Sequence, residues 1–177
     1  MPLLVLNAFP GNRAVEYGAM AASAAYMVVV SFIAGARPPA IGLTSHCFSA
    51  AIRFLLLPTL LAAGLILLGK TWLPQAFLEG ERSPATALLY VLVSVPLREL
   101  LFRGICLWRC RLSFHNHWFA ALYNSALFAG YHGIFQNWYL IGGVFLLNLF
   151  WSYAFLRYPN LYAFMNAHAL LGTLYFS

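Results

Sequence analysis

The sequence predicts an all-α fold: a polytopic transmembrane helical bundle of about six spans, forming a single domain over residues 1–177. Three observations predict it. First, 63% of the residues are hydrophobic and 8% charged, whereas a soluble domain carries about 25% charged residues. Four Glu, nine Arg, one Lys and no Asp cannot furnish the polar surface that a water-exposed globule of this size needs. Second, no Asp, Glu, Lys or Arg occurs from Tyr17 to Ala36, Phe54 to Gly69, Leu112 to Leu156, or Tyr158 to Ser177. A helical span takes roughly 20 apolar residues at about 1.5 Å each, and the longest of these runs holds two. Third, the runs lack the alternation of a transmembrane barrel, and a lipid-exposed backbone must satisfy its own hydrogen bonds, which a helix does.

The spans fall at about 15–35, 52–70, 85–108, 117–135, 138–156 and 159–176. The first ends at Arg37-Pro38-Pro39, where proline stops the helix. The second closes at Lys70, before a connection running to Pro84. The third ends in the basic stretch Arg109 to Asn116, and the fifth and sixth are parted by Arg157-Tyr158-Pro159-Asn160. Asparagine and proline in these gaps are turn and cap residues. The connections leave no room for a soluble domain. Ahead of the first span, Pro10-Gly11-Asn12 interrupts the opening apolar stretch and no basic residue precedes it, so no cleavable signal peptide is expected.

The net charge of +6 is a topology signal rather than a nucleic-acid footprint, because the basic residues are scattered singly and form no stripe. No nucleic-acid partner is expected; the lipid bilayer is. Arg37, Arg53, Arg109, Arg111 and Arg157 fall on one side of six spans and Arg13, Lys70 and Arg82 on the other. Basic residues collect in cytoplasmic loops, which places both termini away from the cytoplasm. The three cysteines Cys47, Cys106 and Cys110 are too few for a disulfide framework; Cys106 and Cys110, four apart on a helix, read as small packing residues.

Ionisable groups inside spans are costly and mark functional sites by default. They are Arg53, Arg98, Glu99, Arg103, His132 and His168. Arg53 sits at a helix end, where it snorkels. Glu99 and Arg103 are four apart with the acid first, the favourable order for an ion pair on one helix face, a pairing that serves structure as readily as function. His132 and His168 come from two other spans. Measured from Arg111, Asn116 and Tyr158, Glu99, His132 and His168 lie roughly 18, 24 and 15 Å into a ~30 Å apolar core, depths that allow them to meet.

These segments resemble a known family. Arg98-Glu99-Leu100-Leu101-Phe102-Arg103-Gly104 is similar to a motif of two glutamates, three residues, then arginine and usually glycine. Phe128-Ala129-Gly130-Tyr131-His132 is similar to a second, Phe, three residues, His. His168 with Gly172 falls where a third has His, three residues, Asn. Over about residues 85–175 the chain resembles the CAAX-protease and bacteriocin-processing family of glutamate-dependent intramembrane proteases. The resemblance carries over Glu99, Arg103, Phe128, His132 and His168. It departs twice: Arg98 stands where the family has the glutamate credited with activating water, and Gly172 where it has the asparagine credited with stabilising the oxyanion.

The resemblance implies an intramembrane endopeptidase cleaving a membrane-embedded or membrane-tethered protein substrate, in one form a C-terminal tail, in a prokaryotic inner membrane. Glu99 with His132 would share the general-base role, His168 would donate to the oxyanion, and Arg98 would be a second donor if Pro96 bends the helix enough to bring it round. The competing reading is an inactive relative that binds membrane segments or a helical scaffold; there Glu99 and Arg103 would satisfy each other. The absence of Asp excludes a paired-aspartate protease, and no His-Glu-x-x-His zinc motif occurs. Glu99, His132 and His168 together form a two-His, one-carboxylate set that suits a metal, and Cys106 or Cys110 beside a His is a further nucleophile. The expectation is that no cofactor and no metal is needed. Cysteine-accessibility labelling of single-cysteine variants should find the Arg109 to Asn116 connection on the cytoplasmic side and Ser177 on the other; labelling of both from one side overturns the six-span topology.

Overall fold

Six helices follow one another along the chain in the computed structural model, which describes residues 13–72, 84–135 and 137–176. They are α1 (Arg13–Ile33), α2 (Phe48–Trp72), α3 (84–113), α4 (His117–Tyr131), α5 (Trp138–Arg157) and α6 (Leu161–Phe176). A 3-10 turn, Pro38–Ile41, follows α1, and another, His132–Phe135, prolongs α4. Among the described residues there is no strand. Each helix falls on one of the six expected segments. The expectations about the N-terminal stretch and most of the connection from Lys70 to Pro84, with Arg82, lie outside the described residues.

By length and composition two of these helices are apolar enough to cross a membrane, α2 with a mean hydropathy of 2.2 and α5 with 1.6. Only 22% and 28% of their most apolar stretches are buried inside the protein. A core helix of a soluble protein would bury most of such a stretch. Of the others, α4 and α6 are shorter, with 15 and 16 residues.

Asparagine starts three of the helices. Asn116 accepts from the Trp118 N–H at 2.8 Å, Asn137 from the Leu140 N–H at 3.0 Å, and Asn160 from the Ala163 N–H at 3.1 Å, each satisfying an amide that has no partner within its helix. The end of α3 lies at Ser113 rather than near residue 108, because Arg109 does not leave the helix. Its guanidinium stacks on Trp108 and reaches the Val30 carbonyl at the end of α1, as a long cationic side chain can. Arg53 is exposed and bonds the Ser49 carbonyl at 3.2 Å, the helix-end role expected of it.

The chain between α1 and α2 meets the α5–α6 turn. There the Leu161 N–H donates to the Gly42 carbonyl at 2.9 Å. Gly42 has φ 81°, and its Cβ position is filled by the Phe155 ring, so glycine is required twice over. Asn160, fully buried, donates to the Thr44 carbonyl at 2.7 Å and the His46 carbonyl at 2.9 Å. In the interior α4 packs along α5 and α2 along α6, while α3 lies between α1, α4 and α6. The core joins Leu55, Leu107, Ala120, Trp151, Phe155 and Phe164, and beside it α3 enters with its charged turn. Asn160→Ala removes a helix cap and two buried donors together and should cost about 1–3 kcal/mol, read as a lower thermal unfolding midpoint in detergent; an unchanged midpoint would show that the two loops do not depend on it.

Candidate active site

The charged turn of α3 is not a regular α-helix. Residues Tyr90–Ser94 and Glu99–Cys106 are wound as π-helix, on either side of the short α segment Val95–Arg98. Pro96 explains the first of these. It has no N–H, and its ring opposes the preceding turn; the turn widens, and the Val95 N–H reaches back five residues to the Tyr90 carbonyl. The second ends as the Leu107 N–H donates to the Phe102 carbonyl, again five back. Such wide turns concentrate at functional sites. Here they turn Arg98, Glu99 and Arg103 inward together; all three are buried.

Glu99 is 1% exposed and both of its carboxylate oxygens are engaged. Oε2 accepts from Arg103 Nη1, and Oε1 accepts from His168 Nδ1 at 2.6 Å. Arg103 also donates from Nη2 to Oδ1 of Asn148 on α5, while its buried Nε has no partner. The Trp151 and Phe164 rings lie 5.1 and 5.0 Å from its guanidinium carbon. Asn148 in turn donates to Ser125 and Ser152, each at 3.3 Å, and Asn124 to Ser152 at 2.9 Å. A polar string thus runs from the ion pair across α5 into α4.

His168, on α6, donates Nδ1–H to Glu99, so in the neutral ring Nε2 carries the lone pair. His132 stands at the end of α4 with its Nδ1 2.9 Å from the Phe128 carbonyl; the carbonyl can only accept, so here too Nε2 is the acceptor of the neutral ring. The Phe128 ring lies against both imidazoles, 4.7 Å from His132 and 6.1 Å from His168. The structure therefore brings His168, and not His132, onto Glu99. Of the two imidazoles, the one from α6 bonds the carboxylate directly, and His132 stands beside it across Phe128. Among the described residues no three His, Cys or Glu side chains converge on a point that would hold an ion.

Arg98 leaves the ion pair altogether. It is 7% exposed, with its guanidinium carbon 5.8 Å from the Tyr90 ring and 5.3 Å from the Tyr131 ring. Tyr90 also packs edge-on against His168, and Tyr131 against His132. A Cβ at Gly172 would collide with the Tyr90 hydroxyl and ring, so the phenol fills the place of a side chain one turn on from His168.

The model of the family described as type II CAAX prenyl endopeptidase, Rce1-like, matches residues 81–174, just over half the chain. The chain belongs to this family. No curated protein and no solved structure matches it. Rce1-like proteins are membrane-embedded proteases that act on membrane-associated protein substrates, and the interval matched in this Rce1-like chain holds all five residues singled out from the sequence, Arg98, Glu99, Arg103, His132 and His168.

Sequence reasoning missed Tyr90, Tyr131 and Asn148. Asn148 carried a signal, being an amide inside an apolar span, where polar side chains bond across helices. The tyrosines carried none, since aromatic residues are common throughout the chain. Gly172→Ala should lower stability by about 1–3 kcal/mol through overpacking, measured as thermal unfolding, and Tyr90→Val should relieve that loss in the double variant; equal losses in both backgrounds would remove Tyr90 as the cause.

Proposed function

We propose that this chain is an intramembrane endopeptidase, six spans deep in the bilayer, that hydrolyses a peptide bond of a membrane-tethered protein near its C-terminal tail. The observation that carries this reading is the Arg103–Glu99–His168 relay. Glu99 holds His168 in one tautomer and presents Nε2 as the base, an orientation that an isolated membrane histidine would not have. Arg103 pairs with the carboxylate, holds it in place and acts as a positioning residue. Bare apolar faces on α2 and α5 support a lipid environment.

In this mechanism a water molecule lies between the Nε2 atoms of His168 and His132, both acceptors. His168 Nε2 takes one proton as the water oxygen bonds the scissile carbonyl carbon, and the carbonyl electrons move to oxygen. The Glu99 carboxylate stabilises the imidazolium that forms. The Tyr90 hydroxyl, on the His168 side, donates to the oxyanion. Collapse of the adduct breaks the C–N bond, and the amine leaves with the proton from His168, giving one new carboxyl and one new amino terminus.

A second reading draws on the same atoms. With both Glu99 oxygens engaged by Arg103 and His168, the cluster also suits an inactive relative that binds membrane segments. The two readings part on turnover. Wild-type protein in lipid nanodiscs should cleave a prenylated CAAX-type peptide, followed as release of its C-terminal fragment. Glu99→Gln and His168→Ala should each reduce the rate by about 10²-fold or more, with His132→Ala lower than wild type as well. Cleavage that survives His168→Ala in folded protein overturns the relay, and no cleavage by the wild type favours the binder.

A further inference from the structure

Two arginines are buried side by side on α3, and their surroundings differ in one respect. Each guanidinium lies between two aromatic rings, Arg103 with Trp151 and Phe164, Arg98 with Tyr90 and Tyr131. Arg103 also has a carboxylate and an amide oxygen. Arg98 has neither: no described residue accepts a hydrogen bond from it, and its buried Nε, like that of Arg103, is without a partner. The ring faces attract the charge but offer nothing to the N–H groups in the guanidinium plane. Glu99, the neighbouring carboxylate, is neutralised by Arg103. Among the described residues one positive charge is thus left over on a side chain that is 7% exposed, a condition that is strongly unfavourable unless an anion completes it.

We propose that Arg98 is a carboxylate-binding subsite that takes the free C-terminal carboxylate of the substrate tail, an assignment that rests on the reading of the chain as a peptidase. The spare charge is a single one, which fits a monoanion and not a phosphate dianion. The guanidinium edge is planar and matches a carboxylate through two parallel hydrogen bonds. Its position fits the chemistry, because Arg98 is one aromatic ring away from each imidazole: Tyr90 touches it and His168, Tyr131 touches it and His132. A tail of two or three extended residues, at about 3.3–3.6 Å each, spans that interval. The terminal carboxylate then sets where along the chain the scissile carbonyl meets His168, and the subsite selects chain ends over internal segments.

The test is one of binding, so it does not depend on turnover. Wild-type protein in phosphatidylcholine nanodiscs is titrated with a fluorescent farnesyl-cysteine tetrapeptide, its bond after the cysteine replaced by a reduced isostere, as free acid and as C-terminal amide. The acid should bind at least about 10-fold more tightly, as a charge-assisted pair requires. Arg98→Met should bring the acid to the affinity of the amide and leave the amide within about 2-fold, and Arg98→Lys should retain part of the preference. Equal affinity of acid and amide for the wild type, or a preference that persists in Arg98→Met, overturns the subsite. So does a preference that disappears once phosphatidylglycerol is added to the discs, since a lipid phosphodiester would then be the occupant. Should Arg98→Met fail to fold, Arg98→Lys and the wild-type comparison decide. Acid-selective binding without hydrolysis of the unmodified peptide would overturn the peptidase reading and leave the subsite standing.

Discussion

An ion pair placed inside an apolar bundle imposes conditions on everything around it. Glu99 and Arg103 lose their hydration, several kcal/mol for each ion, and their attraction offsets this only when the remaining donors and acceptors are also met. The pair itself satisfies one carboxylate oxygen and one guanidinium nitrogen. The other oxygen calls for a donor from α6, which His168 provides, and the second nitrogen for an acceptor from α5, which Asn148 provides. Asn148 then needs acceptors of its own and finds them in Ser125 and Ser152. In this way the unsatisfied valences of one pair fix how four helices meet. An apolar replacement of the same volume could be as stable, but it would not select this one arrangement of α4, α5 and α6 around α3.

The geometry of α3 follows from a second constraint, the proline three residues before Glu99. A regular helix would send Arg98 and Glu99 about 100° apart, one inward and the other toward α1 or lipid. With wide turns on both sides of Pro96 the two neighbours are buried together while still facing different partners, Arg98 the tyrosines and Glu99 the relay. The bend expected from Pro96 takes the form of π turns, and what it achieves is two buried arginines on one helix.

The sequence was legible wherever a property belongs to one residue or one stretch. Charge-free runs and their asparagine and proline boundaries placed all six helices, and the cost of ionisable groups in such runs marked out Arg98, Glu99, Arg103, His132 and His168. Spacing also gave the Glu99–Arg103 pair, because four residues on a helix is a local distance. Which imidazole would reach the carboxylate was not legible. That depends on the rotation of α4 and α6 about their axes, and both histidines sit in helices apolar on every side, so no amphipathic face announces it. The helix end at Ser113 was missed for a related reason: Arg109 reads as a loop residue until the Val30 carbonyl and the Trp108 ring are seen to hold it against the helix.

The two places where the chain departs from the motifs it resembles, Arg98 and Gly172, are separated by two helices in sequence and meet at one side chain in space. Tyr90 carries the Arg98 guanidinium over its ring, and its hydroxyl end occupies the volume that any side chain at 172 would need. A larger residue at 172 would expel the phenol, and without the ring Arg98 would lose half of the aromatic cage that makes its burial tolerable. The departures are therefore one change seen twice, linked through Tyr90. Tyr90 thus joins the Arg98 guanidinium, the His168 imidazole and the backbone at Gly172 into one packed unit, and none of the three positions can be changed without moving the other two.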